Sequence, residues 1–211
     1  MTIINKAALA FGLLSLSILG FNGTALAAGD ALKGEQLSQI CLGCHGAPGL
    51  RNPGPVYSIP MIGGQHADYI ISSLKAYKSK ERGHGTMRAQ ASNLSDQDMA
   101  DIAEFFSSME GNSRPSLVNK RQAALGQKAS ATCAACHGAT GDGDNSIYPK
   151  LAGQYESYLA QALKDYRSGE RKNPIMSGFS AGLTAKDIKA LAAWFASQEG
   201  GLSAPKTKLF K

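Results

Sequence analysis

Cys41-Leu42-Gly43-Cys44-His45 and Cys133-Ala134-Ala135-Cys136-His137 are two copies of one pattern, paired thiols three positions apart followed directly by an imidazole. C-x-x-C-H is the attachment pattern of a c-type haem. The chemistry needs that spacing, because the two thiols add across the vinyl groups on one porphyrin edge while the adjacent histidine reaches under the ring to iron. Cys41, Cys44, Cys133 and Cys136 are therefore assigned to covalent attachment of two haems c, with His45 and His137 as iron ligands. A lone C-x-x-C also serves as a redox dithiol, half of a zinc site or a disulfide. A redox dithiol needs neither the following histidine nor a second copy. A zinc site drawing on both pairs would normally close a loop far shorter than the one between them. The four cysteines of the chain are all used by the two motifs.

Outward from the motifs, the chain repeats itself. Downstream of Pro60 the halves match at a constant offset of 89: Pro60 with Pro149, Gln65 with Gln154, Tyr69 with Tyr158, Tyr77 with Tyr166, Met87 with Met176 and Phe105 with Trp194. Upstream the offset is 92, which joins Gly34 to Gly126 and Cys41 to Cys133. The three-residue difference falls in the Gly- and Pro-rich stretch from Gly46 to Ser58, where an insertion is tolerated. The division that follows is a leader at 1–27, a first haem domain at 28–111, a linker at 112–117 and a second haem domain at 118–211. Each half is small for an independent core. The covalently held macrocycle is expected to supply much of it, so the apoprotein should fold poorly.

Met1 to Ala27 reads as a cleaved secretory signal: Lys6, an apolar run through Leu13-Leu14, and Ala25-Leu26-Ala27 as a small-x-small cleavage site. Ser15, Ser17 and Gly20 interrupt the run, and no basic stop-transfer flank follows, which argues against a retained anchor. In a Gram-negative cell this places the mature chain in the periplasm.

The patterning is all-α. Helices are expected over Gly29–Gln39, His66–Lys80, Val118–Thr132 and Tyr155–Arg167. Ser95 with Asp98, and Thr184 with Asp187, read as matched capping boxes. The helices they open carry Met99, Ile102, Ala103, Phe106 and Ile188, Leu191, Ala192, Phe195 as apolar stripes at helical spacing. No stretch reads as a sheet. Of the methionines that survive signal removal, only Met87 and Met176 correspond between halves, in loops between the middle and last helices; they are the candidate sixth ligands of the two irons. Histidine on one side and methionine on the other raises the potential and leaves no open position. His66 faces Tyr155 and His84 faces Asn173, so neither recurs; His84 is a minor rival to Met87, and both otherwise read as solvated loop or helix-start residues.

The twin motifs, the segments Pro60–Gln65 and Pro149–Gln154, the matched methionines and the terminal helices together resemble the dihaem cytochrome c4 family over essentially the whole mature chain. The resemblance implies two class I cytochrome c folds related by a pseudo-twofold axis, haem propionates meeting near the interface, and electron shuttling towards terminal oxidases. It likewise implies that Cys41, Cys44, His45 and Met87 serve the first haem, and Cys133, Cys136, His137 and Met176 the second. Met61-Ile62-Gly63 stands where the second half has Lys150-Leu151-Ala152, a departure expected to alter packing around the first haem.

Charge bears on partners. Residues 28–118 hold eight Lys and Arg against nine Asp and Glu, whereas residues 119–211 hold thirteen against seven. Such a dipole can orient a carrier at an acidic docking surface; solubility alone is an equally good reading. Dispersal of the basic residues among acids argues against nucleic acid. The expectation is a monomeric electron carrier, not an enzyme, with a bc1-type complex as donor and a terminal cytochrome oxidase as acceptor. Loose membrane association is compatible with it. The alternatives are the cytochrome subunit of a flavocytochrome c sulfide dehydrogenase, or a dihaem peroxidase-type enzyme with one labile iron.

Overall fold

The computed structural model describes residues 28–111 and 118–205. The signal-peptide and linker readings, and residues 206–211 of the second haem domain, lie outside the described residues. Each half is built of helices in the same order. In the first, α1 (Ala31–Leu37) leads into α2 (Gln39–His45), followed by α3 (Ala67–Lys78), α4 (Gly85–Ala91) and α5 (Asp96–Ser107). In the second, α6 (Lys120–Ala129) runs through a single 3-10 turn at Ser130–Thr132 into α7 (Ala134–His137), followed by α8 (Glu156–Ser168), α9 (Pro174–Ala181) and α10 (Ala185–Ala196).

Local chemistry explains the boundaries. Both expected capping boxes form: Ser95 accepts from the Asp98 N–H and Thr184 from the Asp187 N–H, while each aspartate reaches back to the cap residue's backbone. The stripes behind them make the cores. Met99, Ile102, Ala103 and Phe106 are buried against Leu42, Ile70 and Leu74; Leu191, Ala192 and Phe195 are buried against Leu159. The first helix of each half crosses the last at a matched glycine. A Cβ on Gly34 would collide with the Asp101 carbonyl, and one on Gly126 with the Ala190 carbonyl, so the two backbones approach as closely as glycine permits.

Two expectations need correction. A short antiparallel hairpin exists, β1 (Arg51–Pro53) with β2 (Val56–Ser58), Asn52 facing Tyr57. It occupies the inserted loop of the first half, and three-residue strands are too short to leave an alternating pattern. Met87 and Met176 are not in loops; they sit in α4 and α9, whose lengths of seven and eight residues are too short for periodicity to reveal.

Candidate haem sites and the joint between the halves

Each C-x-x-C-H motif is wound into helix. Cys41, Cys44 and His45 lie on α2, and Cys133 caps α7, which carries Cys136 and His137. A three-residue separation in helix puts the paired thiols on one face. No disulfide joins any of the four cysteines, and no group of three or more His, Cys, Asp or Glu able to hold a metal ion is found among the described residues. Burial pushes the Cys41 and Cys133 thiols up, which works against thiolate ligation of zinc.

The histidines are aimed. His45 Nδ1 lies 2.8 Å from the Pro60 carbonyl oxygen, and His137 Nδ1 lies 2.9 Å from that of Pro149. A carbonyl only accepts, so Nδ1 carries the proton and donates, and Nε2 keeps its lone pair. Burial holds both imidazoles below their ordinary value, opposed by these same bonds, so the neutral form is favoured. Proline at 60 and 149 fixes the chain direction just before that carbonyl.

The two candidate methionines occupy one position, the third residue of a short helix. The Met87 N–H donates to His84 Nδ1 at 3.2 Å, and the Met176 N–H donates to Asn173 Oδ1 at 3.0 Å. His84 and Asn173 share a task, capping, that no sequence identity betrayed. His84 thus commits one ring nitrogen to a helix end, and its ring stands edge-on to Tyr57 and Tyr77. Met87 and Cys41 border the same buried cluster. Cys133 borders the second cluster, whereas Met176 is half-buried beside exposed Ile175 and Phe179. Paired free thiols and an imidazole with Nε2 open, once per half, are a donor set that fits haem c.

The halves are joined by reciprocal contacts. Buried Gln65 donates through Nε2 to the Lys150 carbonyl (3.1 Å) and accepts at Oε1 from the Lys150 N–H (2.9 Å). Buried Gln154 does the same to Met61, at 2.8 and 3.0 Å. Met61 and Lys150 are matched positions, so residue contacts counterpart both ways, the signature of a twofold-related interface. Arg82 donates to the Tyr158 hydroxyl and Arg171 to the Tyr69 hydroxyl, each while lying over a tyrosine of its own half, Tyr77 or Tyr166. Backbone crosses reciprocally as well: Gly83 N–H to the Glu170 carbonyl, and Lys172 N–H to that of Glu81. His66 stands at the start of α3, as expected, and both it and its counterpart Tyr155 cross the joint. His66 Nε2 lies 2.8 Å from the Gly143 carbonyl oxygen, and the Tyr155 hydroxyl accepts from the Gly49 N–H at 3.0 Å. Gly63 pairs with Ser203 as an isolated bridge, which carries the end of the second half onto the first. Sequence reading missed the matched Arg82 and Arg171; their offset of 89 was the available signal.

Fold and donor set define a dihaem c-type cytochrome. The cytochrome c family model matches residues 31–110 and 123–199. A cytochrome c4 of Pseudomonas aeruginosa is 37% identical over 191 residues, covering 85% of this chain and 94% of the relative. The crystal structure of reduced recombinant cytochrome c4 from Pseudomonas stutzeri superposes with a TM-score of 0.71 at 32% identity, covering 82% of this chain and all of that one. A thiosulfate dehydrogenase electron acceptor of Stutzerimonas stutzeri is 29% identical over 174 residues, covering 76% of this chain and 79% of the relative. The chain belongs to the cytochrome c4 family: it is a dihaem electron carrier with two covalently bound haems c.

Proposed function

We propose that this chain carries single electrons in the periplasm between a respiratory donor and a terminal oxidase, with His45 and Met87 as axial ligands of one haem and His137 and Met176 of the other. When bound, each haem supplies an iron that takes up or releases one electron. The chain's part is to hold two ligands on each iron in both oxidation states, so that little rearranges on transfer. Nδ1–H bonds to Pro60 and Pro149 orient the imidazoles, and the capped starts of α4 and α9 would hold Met87 and Met176 in place as the second ligands. The single observation that carries this reading is the doubling of that arrangement: in each half a pinned imidazole and a methionine at the third residue of a capped helix. Residues 28–111 and 118–211 would each form one haem domain, with 112–117 as linker and 1–27 as a cleaved leader that accounts for the address.

A second reading concerns the donor. Similarity to a thiosulfate dehydrogenase electron acceptor supports a sulfur-compound dehydrogenase in that role, and it leaves the two haem sites unchanged.

The test is the optical spectrum of the matured, reduced holoprotein before and after carbon monoxide. Unchanged low-spin bands are expected. Partial conversion to a carbonyl complex would overturn double ligation and favour a peroxidase-type enzyme. Met87→Ala and Met176→Ala should each open one iron, giving carbon monoxide binding to half of the haem.

A further inference from the structure

We propose that Gln154 tunes the potential of the haem attached at Cys41 and Cys44, and Gln65 that of the haem attached at Cys133 and Cys136, each acting across the joint through a single peptide group. The Pro60 carbonyl that accepts from His45 Nδ1 and the Met61 N–H that donates to Gln154 Oε1 belong to one peptide unit. The Pro149 carbonyl that accepts from His137 and the Lys150 N–H that donates to Gln65 Oε1 belong to another. The chain of contacts therefore runs from an imidazole in one half, through one amide, to a buried side chain of the opposite half.

The amide orientations follow from the partners. Gln154 Oε1 receives the N–H groups of both Met61 and Tyr155, and Gln65 Oε1 those of Lys150 and His66, while each Nε2 meets a carbonyl. Turning either amide over would set donors against donors. An amide whose N–H is engaged bears more negative charge on its oxygen, because hydrogen bonds in series polarise one another. The prolyl oxygen then draws harder on the imidazole Nδ1–H, and a more basic imidazole favours the oxidised iron. Each glutamine should therefore lower the potential of the haem it never touches. Both are positioning residues, and each half of the molecule supplies the outer support of the other's ligand.

The proposal rests on His45 and His137 as ligands. Failure of that assignment would already appear as missing low-spin bands in the wild type, whereas the proposal is read as a difference between low-spin proteins. Gln154→Met and Gln65→Met keep side-chain volume and remove the acceptor. In the holoproteins, each haem is followed separately by its methyl resonances during a redox titration. Gln154→Met should raise the potential of the first haem and leave the second unmoved, and Gln65→Met should do the reverse. A shift confined to the haem of the mutated half, equal shifts at both, or none would overturn the proposal. A second measurement needs no variant: in the reduced wild-type protein, a scalar coupling through the hydrogen bond should link the Met61 amide nitrogen to the Gln154 side-chain carbonyl carbon. Its absence would overturn the proposal as well.

Discussion

In the first half, the start of α1 is tied down by Asp101, whose carboxylate accepts the Asp30 backbone N–H at 2.8 Å. In the second half the matched residue is Ala190, and α6 begins from Asn119, which accepts from the Gln122 N–H. Similar substitutions of means recur along the chain. His84 and Asn173 cap with different nitrogen and oxygen acceptors; His66 and Tyr155 cross the joint with an imidazole in one direction and a phenol in the other. Where a side chain need only meet one backbone group, as acceptor or as donor, the two halves use different residues. Where backbones touch, or where an amide must give and take at once, they do not: Gly34 and Gly126, Gln65 and Gln154 are the same residue in both halves.

That contrast can be broken in three places. The largest effect is expected at the glycines. Gly34→Ala and Gly126→Ala each force a methyl group into backbone of α5 or α10, an overpacking cost at the upper end of about 1–3 kcal/mol. Helix propensity returns about 1 kcal/mol of it. Denaturant unfolding of the holoproteins should show a loss at both sites; a loss at one alone would mean that the helix crossings are not equivalent.

A smaller gain is expected from making the second half resemble the first at one buried site. Ser180 buries a hydroxyl with no hydrogen-bond partner among the described residues, where the first half has buried Ala91. Ser180→Ala should stabilise by about 1 kcal/mol, the cost of leaving a buried polar group unsatisfied. Thermal unfolding that moved downward instead would show that the hydroxyl has a use.

The smallest effect separates the halves by pH. Accepting the Asp30 N–H, and then a bond from Gln97, holds the Asp101 carboxyl below the usual carboxylate range. A depressed folded pKa contributes stability that is fully present above the unfolded value, near 3.9, and is lost as pH falls through the folded one. Acid should therefore loosen α1 from α5 before it loosens α6 from α10, as read by amide hydrogen exchange. Asp101→Asn keeps an acceptor but does not titrate, and should remove the difference.

Much of this was legible in one dimension. The haem motifs, the apolar stripes and the capping boxes are local: each is a spacing of a few residues, and the physics that makes it work acts over the same few residues; the duplication is legible because it repeats those local patterns at a constant offset. The hairpin in the inserted loop and the short helices of the methionines fell below the length at which periodicity can speak. His66 shows another limit. As an unmatched histidine it carried no signal, because its partner, the Gly143 carbonyl, is a backbone atom that any sequence offers everywhere.

By itself, then, the sequence determined that two haems are held covalently, with Cys41/Cys44 and Cys133/Cys136 fitting the attachment motifs, and in two copies of one helical plan, because covalent attachment and helix formation are decided within a turn or two of chain. Tertiary structure alone decided how the copies face one another. That the glutamines of the repeated Gly-Gln segments close on the opposite half, and that the peptide bonded by each motif histidine is held by the other copy, depends on residues 85 and 93 positions apart meeting in space. No spacing encodes that meeting; it follows from two folded surfaces having to satisfy each other's buried donors and acceptors.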